Sequence, residues 1–360
     1  MPISAVDAIG PAFEHTKQQL TKPFRFAQWA RLALVGFLAG ELSSGGGCSM
    51  PRSFAVPRHP SGGDHLLSLA IPGVNPALYA GLIAILVVCA LVLWILFLYV
   101  SSVMRFVLFD AVVTRYCEIR KRWNSRQGPG LRLFVWQLLV LFATLVIFTI
   151  LVGVPAAIAF GLGWIKSPKE HLVPLILGGM VLFFVFLALV IALILVHVFT
   201  KDFVVPQMAL ENISAIEGWR RLLPILRSET GSYAGYAGMK LVMALGAAVV
   251  VGIVSVIVIL ILLIPFGGFG AIAVLLGKAG GLTWNLYTIS LAVVLVAIFL
   301  CVMLYAVSLV SVPVIVFFPA YSIYFFAARY APLSAVLYPA PPPVAPIPIP
   351  PPLPPPEPIG

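Results

Sequence analysis

Hydrophobic residues along this chain run in long unbroken blocks and do not alternate with polar ones. Five stretches contain no Asp, Glu, Lys or Arg: 77–100, 133–152, 175–199, 241–264 and 286–312. Each holds about 20 residues or more, the length at which an α-helix crosses a hydrocarbon core of ~30 Å. Continuous apolarity does not fit the alternation of a membrane strand, and lipid offers no partner to an open sheet edge. The pattern predicts an all-α polytopic membrane protein. A sixth, shorter block at 27–42 has Arg31 near one end and Glu41 at the other.

Charge decides how that short block is read. If it crosses, 17 Lys and Arg lie on one side of the membrane and 5 on the other; if it does not, the division is 13 against 9. The positive-inside rule favours six crossings, with both termini cytoplasmic in a bacterial inner membrane. The chain then divides into an N-terminal interfacial segment (1–26), the short helix (27–42), an outer loop (43–76), a bundle (77–326) and a proline-rich tail (327–360). Composition agrees: 61% hydrophobic and 9% charged residues cannot cover a water-soluble exterior. The net charge of +10 falls where topology puts it, so lipid headgroups account for it and nucleic acid is not an expected partner.

A weak internal repeat appears when Phe106-Val107 is laid on Phe203-Val204, which brings Trp123 close to Trp219. Each unit reads as span, basic amphipathic segment, span. The first basic segment, 105–132, carries Arg115, Arg120, Lys121, Arg122, Trp123 and Arg126. The second, 206–228, carries Trp219, Arg220 and Arg221 behind a Ser214-x-x-Glu217 capping box. Both are expected to be interfacial helices whose cations meet anionic lipid headgroups or an acidic partner subunit.

Small residues at Ala244, Ala248 and Gly252, continued near Ser255, form a stripe suited to close packing within the chain. Pro155, Pro174, Pro265 and Pro313 fall at or near span ends, where they punctuate helices, and Gly267-Gly268-Phe269-Gly270 reads as a turn. The tail has 13 prolines between 339 and 358, which favour an extended polyproline arm. Cys89 and Cys301 lie within spans, Cys48 and Cys117 on opposite sides, so no disulfide is expected.

Candidate chemistry is sparse. Within the spans the notable polar groups are Gln137 and His197, beside hydroxyls such as Thr144 and Tyr305. A lone histidine more often bonds a neighbouring hydroxyl, but His197 is also the candidate ligand for a haem or pigment. His59, Asp64 and His65 match no zinc spacing, and no nucleophile is paired with a base. The expectation is a protein without a metal or cofactor of its own, in contact with structural lipids, and not an enzyme.

The stretches Phe106-Val-Leu-Phe-Asp-Ala, Phe203-Val-Val-Pro-Gln-Met-Ala and Phe317-Phe-Pro-Ala-Tyr-Ser-Ile-Tyr-Phe-Phe resemble uncharacterised bacterial multi-pass proteins. Those proteins are distantly similar to the membrane domain that accompanies some glycerophosphodiester phosphodiesterases. The likeness spans most of residues 1–338 and implies a membrane scaffold, because the catalytic barrel of the phosphodiesterases has no counterpart here. The function expected is a non-catalytic accessory subunit of a larger membrane complex, with respiratory or photosynthetic electron transfer as the candidate process. The alternative is a transporter or lipid-handling protein.

Overall fold

The computed structural model describes residues 4–22, 24–41, 76–164, 171–281 and 286–338. The expectations for the outer loop with Cys48, His59, Asp64 and His65, and for the polyproline arm beyond residue 338, lie outside them. Among the described residues the chain is helical: α1 (Ile9–Thr21), α2 (Phe26–Leu38), α3 (Pro76–Val113), α4 (Ile119–Gly161), α5 (Leu172–Phe199), a π-turn (Thr200–Val204), α6 (Val205–Glu211), α7 (Ala215–Ser228), α8 (Thr230–Ala279), α9 (Leu286–Val310), α10 (Val312–Ala327) and α11 (Ala331–Leu337). Five of them, α3, α4, α5, α8 and α9, are long and apolar enough to cross a membrane.

These helices have two unlike ends. One end of each is apolar and exposed, with Leu91, Phe142, Phe183, Val249 and Leu295 all more than half accessible. The other ends converge with α1, α2, α6, α7, α10 and α11 into a dense platform. Its core holds Phe106, Phe203, Tyr236, Tyr321 and Phe325, each fully buried. Every described Lys and Arg except Lys278 belongs to the platform. Apolar side chains therefore cover the projecting halves, and among the described residues charge gathers, Lys278 apart, at the end where carboxylates and backbone carbonyls can meet it.

Three boundaries differ from the sequence pattern. Residues 105–132 do not form one helix lying along the interface. Residues 105–113 close α3, a turn with Arg115 in the left-handed region (φ 58°) reverses the chain, and residues 119–132 open α4. The turn is held from outside, since Gln28 Nε2 donates to Arg115 O at 2.8 Å and Arg115 Nη1 donates to Gln18 Oε1 at 2.9 Å.

The short helix α2 packs in the platform and not beside the exposed half of α3. Gln28 near its start is level with Arg115, and Gly40 just past its end faces Ser101. At 13 residues it is about 20 Å long, shorter than the five spans. Glu41, just beyond its end, is ion-paired with Lys201, which anchors that end to the platform.

Finally, Gly267, Gly268 and Gly270 do not make a turn but lie within α8, and Pro155 and Pro265 lie inside α4 and α8. Without water to satisfy freed backbone groups, an apolar helix continues through residues that would end it in a soluble protein.

The repeat is expressed as equivalent burial. Phe106 and Val107 on α3 and Phe203 and Val204 in the π-turn are all fully buried in the same core. The small-residue stripe on α8 is its less exposed face, on a helix that packs against α9; Ser255 is the buried member.

Candidate functional site

The polar centre of the molecule forms where the apolar runs stop. Glu41 follows α2, Arg105 is the first charged residue after the apolar run of α3, Lys201 and Asp202 follow α5, and Lys240 directly precedes the apolar run of α8. The platform gathers all five. Lys201 pairs with Glu41, and Lys240 with Asp202. Asp202 also accepts from Tyr236 Oη at 3.0 Å. The Tyr236 ring stacks on Tyr321 at 5.0 Å with 6° between planes, and the Lys240 ammonium lies 5.8 Å from the ring centres of Tyr236 and Phe318.

A π-turn makes this arrangement possible. The wider turn over Thr200–Val204 points the adjacent Lys201 and Asp202 at different partners, Glu41 on one side and Lys240 on the other. Thr200 fastens the turn: its hydroxyl donates to Val196 O at 2.6 Å and accepts from Trp219 Nε1 at 3.0 Å. Trp219 thus serves as a bolt between α7 and the turn. A cavity of about 30 Å³ beside Glu41, Arg105, Lys201 and Asp202 has room for one water molecule.

Arg105 belongs to this cluster and also to a second space. Its Nε donates to Ala39 O at 3.3 Å. The same residue lines a lateral groove of about 320 Å³ between α3, α4 and α5, together with Trp94, Trp136, Gln137, Leu193 and His197. Gln137 is held 2.9 Å from Ser102 Oγ. His197, the candidate haem or pigment ligand, stands exposed at the edge of this groove. Among the described residues, no group of three or more His, Cys, Asp or Glu is placed to hold a metal ion.

The basic residues singled out by pattern separate into two sets. Arg126 grips Asp110 through two parallel bonds of 2.8 and 2.7 Å and donates to Ala209 O at 2.7 Å. Arg122 adds a contact to the same carboxylate at 3.4 Å, and Arg221 pairs with Glu211 and with Glu217 at 3.2 Å. Trp123 packs edge-on to Tyr99 at 6.4 Å. These residues, with Arg115 and Trp219, hold the platform together. Arg120 is exposed, and the side chains of Lys121 and Arg220 are 85% and 78% accessible, so these three point outward. The capping box is formed, with Glu217 N donating to Ser214 Oγ at 3.3 Å.

Sequence reasoning missed Glu41, Arg105, Lys201, Asp202 and Lys240 as a unit. A signal existed: each lies at or near the platform end of an apolar run, and the repeat offset of 97 lays Arg105 on Asp202. Cys117, at the α3–α4 turn, is buried, and burial pushes its thiol up to about 11, so it stays protonated and inert.

A family model described as "Family of unknown function (DUF7544)" matches residues 3–336. No curated protein and no solved structure matches the chain.

Proposed function

The chain belongs to this family of unknown function over residues 3–336, and from that premise we propose that it is a non-catalytic membrane scaffold, an accessory subunit of a larger membrane assembly. One observation carries the reading: its polar groups are spent on one another. The carboxylates Glu41, Asp110, Asp202, Glu211 and Glu229 are each engaged by a Lys or Arg of the platform. A general acid, base or nucleophile has to be held ready for a substrate, and these are held for the fold.

Among the platform's exposed cations are Arg120, Lys121 and Arg220, which suit the acidic face of a partner subunit at the membrane surface. By the positive-inside rule the platform lies on the cytoplasmic side, with both termini. An electron-transfer complex is the candidate assembly, with His197 at the groove as the position that would touch a pigment. The lateral groove favours a second reading, lipid handling.

The test is photo-crosslinking in native membranes from Lys121 and Arg220. The scaffold reading expects one protein adduct of defined mass from both positions, lost on charge reversal of Arg120. Recovery of the chain as a lone monomer in mild detergent, with adducts to lipid only, overturns it.

A further inference from the structure

The groove between α3, α4 and α5 has a chemistry that the scaffold reading does not use. Its walls are apolar and open sideways among projecting spans: Trp94, Leu141 and Leu193 line it, and Trp94 is half exposed. Its platform end is polar, with Arg105, Gln137 and Thr200 in the lining and His197 at the rim. The groove follows α3 from Trp94 to Arg105, eleven residues or about 16 Å of helix, comparable to much of one acyl chain laid alongside.

Charge points the same way. The cluster behind the groove contains three cations, Arg105, Lys201 and Lys240, and two carboxylates, Glu41 and Asp202. Lys201 and Lys240 each pair directly with a carboxylate, whereas among the described residues the hydrogen bond of Arg105 runs from Nε to a backbone carbonyl, with Glu41 and Asp202 near enough to act on its charge. A guanidinium has five N–H donors, and its flat fork matches the oxygens of a phosphate. With three cations against two carboxylates, the cluster carries one positive charge in excess, which an anion at the groove end balances.

We propose that this groove is a binding site for an anionic phospholipid, its phosphate held by Arg105 beside His197 and one acyl chain lying along Trp94 and Leu193. A phospholipid fits better than a free anion because the apolar walls need covering and the opening faces the spans. The site goes beyond the scaffold reading and does not depend on it, since a chain with no protein partner would bind the same lipid.

The experiment uses the full chain in dodecyl maltoside, with phosphatidylglycerol or phosphatidylcholine of equal chain length, read by native mass spectrometry and melting temperature. Phosphatidylglycerol is expected to be retained at least tenfold better, and Arg105→Gln to bring the two lipids level. Because Arg105 also supports the platform, Leu193→Trp provides a second variant that fills the groove and leaves the charges untouched. It is expected to melt like the parent without lipid and to lose at least tenfold in phosphatidylglycerol binding. Equal retention of both lipids by the parent, undiminished binding by Leu193→Trp, or displacement of the lipid by millimolar inorganic phosphate overturns the proposal.

Discussion

Arg126 on α4 and Asp110 on α3 face each other fork to fork, two parallel hydrogen bonds of 2.8 and 2.7 Å across the turn that joins their helices. The Asp110 side chain is 6% accessible, and the third arm of Arg126 reaches Ala209 O on α6. A lysine cannot make this contact, because one ammonium cannot span both carboxylate oxygens and a third acceptor. Removing one partner of a buried pair leaves an unmatched charge and costs about 3–5 kcal/mol. Asp110→Asn and Arg126→Lys are both expected to lower the melting temperature in detergent markedly. Lys121→Ala, on the same helix but at an 85% accessible position, is expected to leave it within measurement error.

Two platform glycines are expected to respond in opposite directions to the same change. A Cβ on Gly130 of α4 would lie 2.5 Å from Val103 Cγ2 and 3.1 Å from Val103 Cα. A Cβ on Gly235 of α8 would meet nothing within 4 Å. Gly130→Ala should therefore destabilise the α3–α4 contact by roughly 1–3 kcal/mol through overpacking. Gly235→Ala should stabilise by up to about 1 kcal/mol through helix propensity. Thermal unfolding of the two variants side by side checks both signs, and a loss in both would mean that Gly235 has a role in packing that its open surroundings do not show.

Acid should loosen α1. His15 is buried between α10 and α3, with Nε2 2.9 Å from Val112 O and Nδ1 3.1 Å from Tyr324 Oη. A carbonyl only accepts, so Nε2 carries the proton and Nδ1 accepts from the tyrosine. Burial holds the imidazole below its ordinary 6.5, and the Arg115 charge pushes the same way. The unfolded chain therefore binds the proton first. Stability is complete above about pH 6.5 and falls as pH drops from there toward the folded-state value. Hydrogen exchange across residues 9–21, corrected for the intrinsic rate, should rise from pH 8 to pH 5.5. His15→Gln, which keeps a donor and an acceptor, should flatten that response, and an unchanged pH profile in the variant would assign the effect to another group.

The parts of the fold that could be read from the sequence are those governed by lipid. The hydrocarbon core penalises ionisable side chains, so the five apolar runs stand out without knowledge of any contact. The platform was not legible in the same way. Arg126 looks on paper like a cation for headgroups, and only the approach of Asp110 from the preceding helix shows that it is internal. Glu41 and Lys201 are 160 positions apart, and nothing local to either specifies the other. The π-turn has no composition signal at all, since it follows from Lys201 and Asp202 needing different partners. Local rules failed most plainly at Pro265 and Gly267, where a break that water would permit is suppressed in an apolar setting.

The Asp202–Lys240 pair tests whether the central cluster acts as one unit. Asp202 is 2% accessible and receives both the Lys240 ammonium and the Tyr236 hydroxyl. Asp202→Asn removes the negative charge and leaves Lys240 buried beside two rings and close to Lys201, which carries the same charge. A loss of about 3–5 kcal/mol is expected, as for any broken buried pair. Lys240→Met keeps the length and apolar body of the side chain but strands the carboxylate, with a similar loss. When both charges go together, the desolvation that each imposed on the other goes with them. The double variant should therefore be more stable than the two single losses added, by roughly 1–3 kcal/mol. Unfolding in a mixed-micelle denaturation series gives the three differences. Strict additivity would mean that Asp202 and Lys240 are held apart by separate surroundings, and that the π-turn aims Asp202 at Tyr236 alone.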